Sequence, residues 1–111
     1  EGYSFFDKTR TERTKIRVRW WTDNAKTYQD IAQVGPEVVN CIPQIELPSV
    51  CKSKPQNVPV VIGHYTLSGK PAPLSEKVLC VDYNAAKDSN PLVAYFFENS
   101  DVELDEKNFS F

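Results

Sequence analysis

Six basic side chains lie within twelve positions near the N-terminus, with one acidic residue among them. They are Lys8, Arg10, Arg13, Lys15, Arg17 and Arg19. Over positions 13–21, charged and apolar residues alternate, which is typical of a β-strand with one buried face. This alternation places Lys15, Arg17 and Arg19 on the same face of the strand. Trp21 follows in phase, so we predict a basic stripe that ends in an aromatic side chain.

The predicted stripe has three interpretations. Arg and Trp are residue types that dominate binding energy at interfaces, so the stripe predicts a surface that binds an acidic partner protein. The same side chains could instead contact phosphates and stack a base, as in proteins that bind single-stranded nucleic acid. The third interpretation is a solvated outer face of a sheet. A net charge of −2 gives no overall case for nucleic-acid binding, and we place a nucleic-acid partner below an acidic protein.

The two tryptophans cannot both point inward from a regular strand. Trp20 is in phase with Ile16 and Val18, so we expect it in the core. Trp21 is then either exposed or covered by another part of the chain, such as the segment 5–6.

Cysteine and histidine are the residue types that suggest catalysis here. Cys80 and His64 could form a nucleophile and base, with Asp82 or Asn84 orienting the imidazole. However, Cys80 lies in an apolar run, where burial raises the pKa of a thiol and makes it unreactive. The cysteines and His64 are also too far apart in sequence for the usual zinc-ligand pairs. We expect no metal and no cofactor, and no residue is assigned a catalytic role.

The other two cysteines, Cys41 and Cys51, are close enough in sequence to form a candidate disulfide. The alternative is three reduced thiols. The pattern Asn108-Phe109-Ser110 fits an N-glycosylation site. Together with the missing methionine, these features favour a secreted protein, or a domain processed or excised from a larger chain. No apolar run approaches the roughly 20 residues needed to span a bilayer.

The length of 111 residues, with 41% hydrophobic residues, predicts one folded domain over 1–111. We expect a flexible N-terminal segment at 1–12 and an acidic tail at 99–111. Between them, the pattern predicts a helix at 24–34, capped by residues 22–24. It also predicts strands at 13–21, 37–42, 58–67, 77–83 and 92–98, and an edge strand around Val102 and Leu104. The segments 77–83 and 92–98 could form a hairpin.

This order predicts an α+β fold, with one short helix packed on a mostly antiparallel sheet of about five strands. An all-β sandwich is the alternative. The function we predict is that of a non-catalytic protein-interaction domain, a binding, effector or inhibitor module that acts through Lys15, Arg17, Arg19 and Trp21. The alternatives are an RNA-binding or single-stranded nucleic-acid-binding domain and a small Cys/His hydrolase. The oligomeric state stays open.

Overall fold

The computed structural model describes residues 3–52, 54–87, 89–98 and 103–111. The chain divides into two compact units, which we call unit 1 (Glu1–Lys54) and unit 2 (Pro55–Phe111). Each unit has its own cluster of buried apolar side chains. No helix in the described ranges is long and apolar enough to cross a membrane.

Unit 1 begins with a short antiparallel hairpin. Strand β1 (Phe5–Phe6) pairs with β2 (Glu12–Arg13), so that Phe5 lies opposite Arg13. The hairpin pairs Phe5–Phe6, which lie in the segment predicted to be flexible, with Glu12–Arg13. Beyond β2, the predicted strand at 13–21 is reduced to a single antiparallel bridge between Val18 and Ala32.

The turn of this hairpin is organised by Asp7. Its carboxylate accepts hydrogen bonds from the backbone N–H groups of Thr9 and Thr11, at 2.8 and 3.0 Å. It also accepts from the Thr9 hydroxyl at 2.6 Å and from Nε of Arg13 at 2.8 Å. These bonds favour the ionised carboxylate, and they hold the pKa of Asp7 far below its usual value, with the Thr9 side chain the largest cause.

Two short helices follow the hairpin. Helix α1 (Tyr28–Ile31) lies within the predicted range 24–34 but begins later, because Thr27 forms a capping box with Asp30. Helix α2 (Pro36–Val39) occupies the segment for which we predicted a strand at 37–42. That prediction is wrong because the proline at the first helical position has a backbone φ suited to a helix start, which apolar patterning does not reveal.

The buried cluster of unit 1 forms where α2 meets the end of α1. Ala32, Val38 and Ile42 are its buried members, and apolar side chains from the hairpin, the following segment and α1 pack against them. A short 3₁₀ helix (Ser49–Cys51) comes near the end of the unit. Because each helix is only four residues long, its conformation depends on this packing rather than on intrinsic helix propensity.

The described residues of unit 2 form two separate pairs of strands. Strand β3 (Val60–Ile62) pairs with β4 (Val78–Cys80) in parallel, with Val61 opposite Leu79. Strand β5 (Ala94–Tyr95) pairs with β6 (Phe109–Ser110) in antiparallel orientation. A 3₁₀ helix (Glu106–Asn108) leads directly into β6.

These pairings correct three predictions for unit 2. The apolar runs at 58–67, 77–83 and 92–98 do contain strands, but each strand is shorter than its run. The runs at 77–83 and 92–98 do not form a hairpin, because β4 pairs with β3 and β5 pairs with β6. The strand that the tail contributes lies at Phe109–Ser110 and not around Leu104, which is outside any strand. Val102 lies outside the described residues.

The core of unit 2 brings both strand pairs together. Leu79, Tyr83, Val93 and Phe109 are buried in one cluster. Tyr95 packs edge-to-face on Phe109, with ring centroids 4.9 Å apart. The residues of β4 are the most deeply buried, since Val78, Leu79 and Cys80 are each at most 1% exposed.

The predicted fold class is wrong. In place of one helix on a mostly antiparallel sheet of about five strands, the described residues form two short helices and three two-stranded sheets. The all-β sandwich does not fit either, because the helices are present and no sheet exceeds two strands in the described ranges. The physical reason lies in the connections. The chain has eight prolines, which cannot donate to a strand ladder, and the strands end after two or three residues.

Candidate functional site

Unit 1 has a groove of about 570 Å³ that is rich in basic side chains, and we call it the basic groove. The hairpin, the segment after it and the segment that runs into α2 line the groove. Four of its lining side chains are basic: Lys8, Arg13, Lys15 and Arg17. Apolar side chains, among them Ile16 and Val34, lie between the charges. The groove therefore combines a concentration of positive charge with an apolar surface.

The basic groove also contains two carboxylates, and the four basic side chains leave its lining with a net positive charge. Asp7 is bound by Arg13 and by the threonines of the turn. Glu37 folds back over the start of α2, where its carboxylate oxygens lie 2.6 and 2.7 Å from the position a Cβ would take at Gly35. In the described part of the chain, the ammonium groups of Lys8 and Lys15 have no ion-pair partner.

Of the four predicted binding residues, two lie in the basic groove, Lys15 and Arg17. Arg19 is held elsewhere, since its guanidinium donates to the backbone carbonyl of Asp30 at 2.6 Å. Its backbone N–H also donates to the carbonyl of Ile31 at 2.7 Å. The bridge at Val18 and the turn that follows it end the strand pattern, and this removes Arg19 from the predicted phase.

The tryptophans reverse the expected arrangement. Trp21 is 7% exposed and belongs to the buried residues, whereas Trp20, expected in the core, is only partly buried. The two rings contact each other edge-to-face, with centroids 5.7 Å apart. Trp21 is therefore covered by other parts of the chain, which was one of the two predicted alternatives. A buried indole cannot stack on a base, so the aromatic part of the predicted stripe is lost.

Sequence reasoning missed two residues of the basic groove, Lys8 and Arg13. Both belong to the basic run, so their charge was visible in the sequence. Their position was not, because it depends on the antiparallel register that sets Phe5 opposite Arg13. Local patterning does not determine which residues of two short strands face each other.

A second groove of unit 1, of about 450 Å³, is mostly apolar, and we call it the apolar groove. Its lining includes three aromatic side chains, Tyr3, Phe5 and Tyr28. Ile42 and Ile45 add aliphatic surface. Phe5, Lys15 and Ile16 line both grooves, so the two are adjacent on unit 1.

The candidate nucleophile of unit 2 is inaccessible. Cys80 is fully buried in β4, which confirms the prediction that it is a core residue. Burial raises the pKa of its thiol, and the backbone N–H of Asp82 donates to its sulfur at 3.4 Å. His64 is exposed, in a left-handed backbone conformation with φ of 62°. A buried, protonated thiol is a poor nucleophile, which weighs against the hydrolase alternative.

The remaining cysteines, Cys41 and Cys51, are exposed free thiols in the structure. The structure therefore has three reduced thiols, which was the alternative to a Cys41–Cys51 disulfide. Formation of that disulfide under oxidising conditions stays a prediction. Within the described ranges, no three or more His, Cys, Asp and Glu side chains are grouped so that they could hold a metal ion.

Comparison with known proteins gives no relative from which a function could be transferred. No protein-family model matches the sequence, and neither curated proteins nor solved structures give a significant match. We therefore infer function from the two grooves of unit 1.

Proposed function

We propose that the protein is a non-catalytic interaction domain and that the basic groove of unit 1 binds an acidic surface of a partner protein. The single observation that supports this most strongly is the convergence of Lys8, Arg13, Lys15 and Arg17 on one groove. Opposite charges brought together at an interface accelerate association and select the partner. We propose that the protein acts as a secreted or processed module of the binding, effector or inhibitor type.

The composition of the basic groove favours a protein partner over nucleic acid. The apolar side chains between its charges suit a protein segment, because interfaces combine an apolar centre with a polar rim. Binding of single-stranded nucleic acid relies on aromatic platforms beside the positive charge. Trp21, the aromatic residue predicted for that purpose, is buried, and Phe5, which lines the groove, is partly buried against the apolar cluster of unit 1.

The proposal is tested with a fluorescein-labelled, glutamate-rich peptide and the full chain, by fluorescence anisotropy at low salt. The double variant Lys8→Gln/Lys15→Gln removes two charges from the basic groove. Exposed ion pairs contribute about 0.2–1 kcal/mol each, so we expect affinity to fall about tenfold. Lys26→Gln/Lys52→Gln is the matched control, because it removes two exposed charges of unit 1 that do not line the groove. We expect it to change affinity less than about twofold.

Equal losses in the two double variants would mean that only net charge matters, and the basic groove would have no specific role. A single-stranded oligouridine probe is titrated in parallel. If it bound more tightly than the peptide at the same salt concentration, and lost affinity in Lys8→Gln/Lys15→Gln alone, the groove would bind nucleic acid and our proposal would be wrong.

A further inference from the structure

We infer that the acidic partner segment also carries a bulky apolar residue, and that the apolar groove of unit 1 holds this residue as an anchor. The inference rests on the proposed function, since it describes the same partner in more detail. It commits to one occupant, an acidic peptide segment in which a large aliphatic or aromatic side chain lies next to a carboxylate.

The continuity of the two grooves supports a single ligand that reaches both. Phe5, Lys15 and Ile16 line the basic groove and the apolar groove alike. Lys15 is thus placed where the grooves meet, and its ammonium has no ion-pair partner among the described residues. A carboxylate paired with Lys15 would bring the neighbouring side chain of the partner to the entrance of the apolar groove.

The lining of the apolar groove favours an apolar side chain in the partner, next to the carboxylate that pairs with Lys15. Tyr28, Ile42 and Ile45 provide apolar surface, and the volume of about 450 Å³ lies within the range of pockets that hold small apolar ligands. The charged lining residues are Lys15, shared with the basic groove, and Glu46. The carboxylate of Glu46 disfavours a second acidic side chain in the groove, whereas an apolar ring or aliphatic chain meets complementary surface.

The complementarity of the two grooves therefore defines a partner of mixed chemistry. The basic groove attracts carboxylates, and this long-range attraction governs association more than it governs final affinity. A buried aromatic or aliphatic anchor provides much of the binding energy at protein interfaces. Acidic residues next to an apolar anchor use both grooves at once, which a purely acidic segment does not.

The test compares two labelled peptides by fluorescence anisotropy with the full chain. Both carry four consecutive glutamates, followed by tryptophan in one peptide and by alanine in the other. We expect the tryptophan peptide to bind about tenfold more tightly, because anchor residues typically contribute more than 1 kcal/mol. Two variants locate the effect: Ile45→Gln makes the groove wall polar, and Tyr3→Ser removes an exposed aromatic ring from its rim.

Each groove variant should reduce the preference for tryptophan to about threefold or less, while the affinity for the alanine peptide stays unchanged. Val50→Ser is the matched control, because Val50 is 83% exposed and does not line the groove. The control should keep the full preference. Tyr3→Ser alters a side chain that is 62% exposed, so it tests the groove even if Ile45→Gln fails to fold.

The outcomes separate the two proposals. If the two peptides bind equally while Lys8→Gln/Lys15→Gln still weakens both, the apolar anchor is refuted and the proposed function stands. If the preference for tryptophan persists in both groove variants, the anchor does not occupy the apolar groove. If neither peptide responds to Lys8→Gln/Lys15→Gln, the proposed function itself fails.

Discussion

The packing of β4 leads to a quantitative prediction about stability. Leu79 is fully buried and contacts the cluster of Tyr83, Val93 and Phe109, whereas Val61, its partner in the parallel register, is 47% exposed. The two residues therefore lie opposite each other on neighbouring strands but differ in burial. Truncating each to alanine tests burial at a fixed place in the sheet.

Leu79→Ala removes three buried carbon atoms and leaves a cavity, which in a well-packed core costs about 3–4 kcal/mol. Proteins of this size unfold with a free energy of about 5–15 kcal/mol, so this single change removes a large part of the total. Val61→Ala removes carbon atoms that are already half in contact with water. We expect it to cost less than about 1 kcal/mol.

The free energy of unfolding is measured by urea denaturation, followed by far-ultraviolet circular dichroism. Amide hydrogen exchange, read by mass spectrometry on peptides that cover β3 and β4, shows whether the loss is located in unit 2. We expect faster exchange in these strands for Leu79→Ala and near-normal exchange for Val61→Ala. Equal losses of free energy in the two variants would refute the burial that the structure assigns to β4.

Three further predictions concern acid stability, thiol reactivity and backbone conformation. Hydrogen bonds lower the pKa of both Asp7 and Asp30 in the folded state, so their stabilisation is present above about pH 4, the unfolded pKa, and is lost as the pH falls towards the folded pKa. Tryptophan fluorescence of unit 1 should then change at a higher pH in Asp7→Asn than in the Glu37→Gln control, and equal midpoints would contradict this. In the folded protein kept under mild reducing conditions, iodoacetamide should modify the two exposed cysteines and leave Cys80 unmodified until urea is added, as intact-mass measurement detects. Labelling of all three thiols without urea would show that Cys80 is accessible. Thr66 is β-branched and has a φ of 48°, a left-handed conformation that costs less for glycine. We therefore expect Thr66→Gly to raise the free energy of unfolding by about 1 kcal/mol, measured by urea denaturation. A lower free energy of unfolding would contradict the left-handed conformation.

Sequence patterning located several elements but not their extent. The apolar runs at 58–67, 77–83 and 92–98 each contain a strand, and the range 24–34 contains a helix. Each element is shorter than its pattern suggested, because patterning reports potential burial and not the turns that interrupt it. Helix α2 was missed altogether, since apolar patterning indicated a strand at 37–42, whereas Pro36 begins a helix there with Gly35 at its N-cap.

The candidate site was predicted only in part, because here too the predicted strand was longer than the one that forms. The basic run was visible, and Lys15 and Arg17 do lie in one groove. Arg19 and Trp21 do not share that surface, because the strand on which the phase depended ends at the Val18 bridge. A period-two pattern predicts a shared face only while the backbone remains an extended strand.

The sequence by itself determined the chemical character of this protein: a concentration of basic residues near the N-terminus, apolar runs able to form buried strands, and a cysteine embedded in one of them. These properties depend on residue type and on near neighbours along the chain. Only the tertiary structure decided which strands pair, which tryptophan is buried and which basic residues meet in one groove. Those outcomes depend on contacts between residues distant in sequence, and strands of two or three residues carry too little local information to specify them.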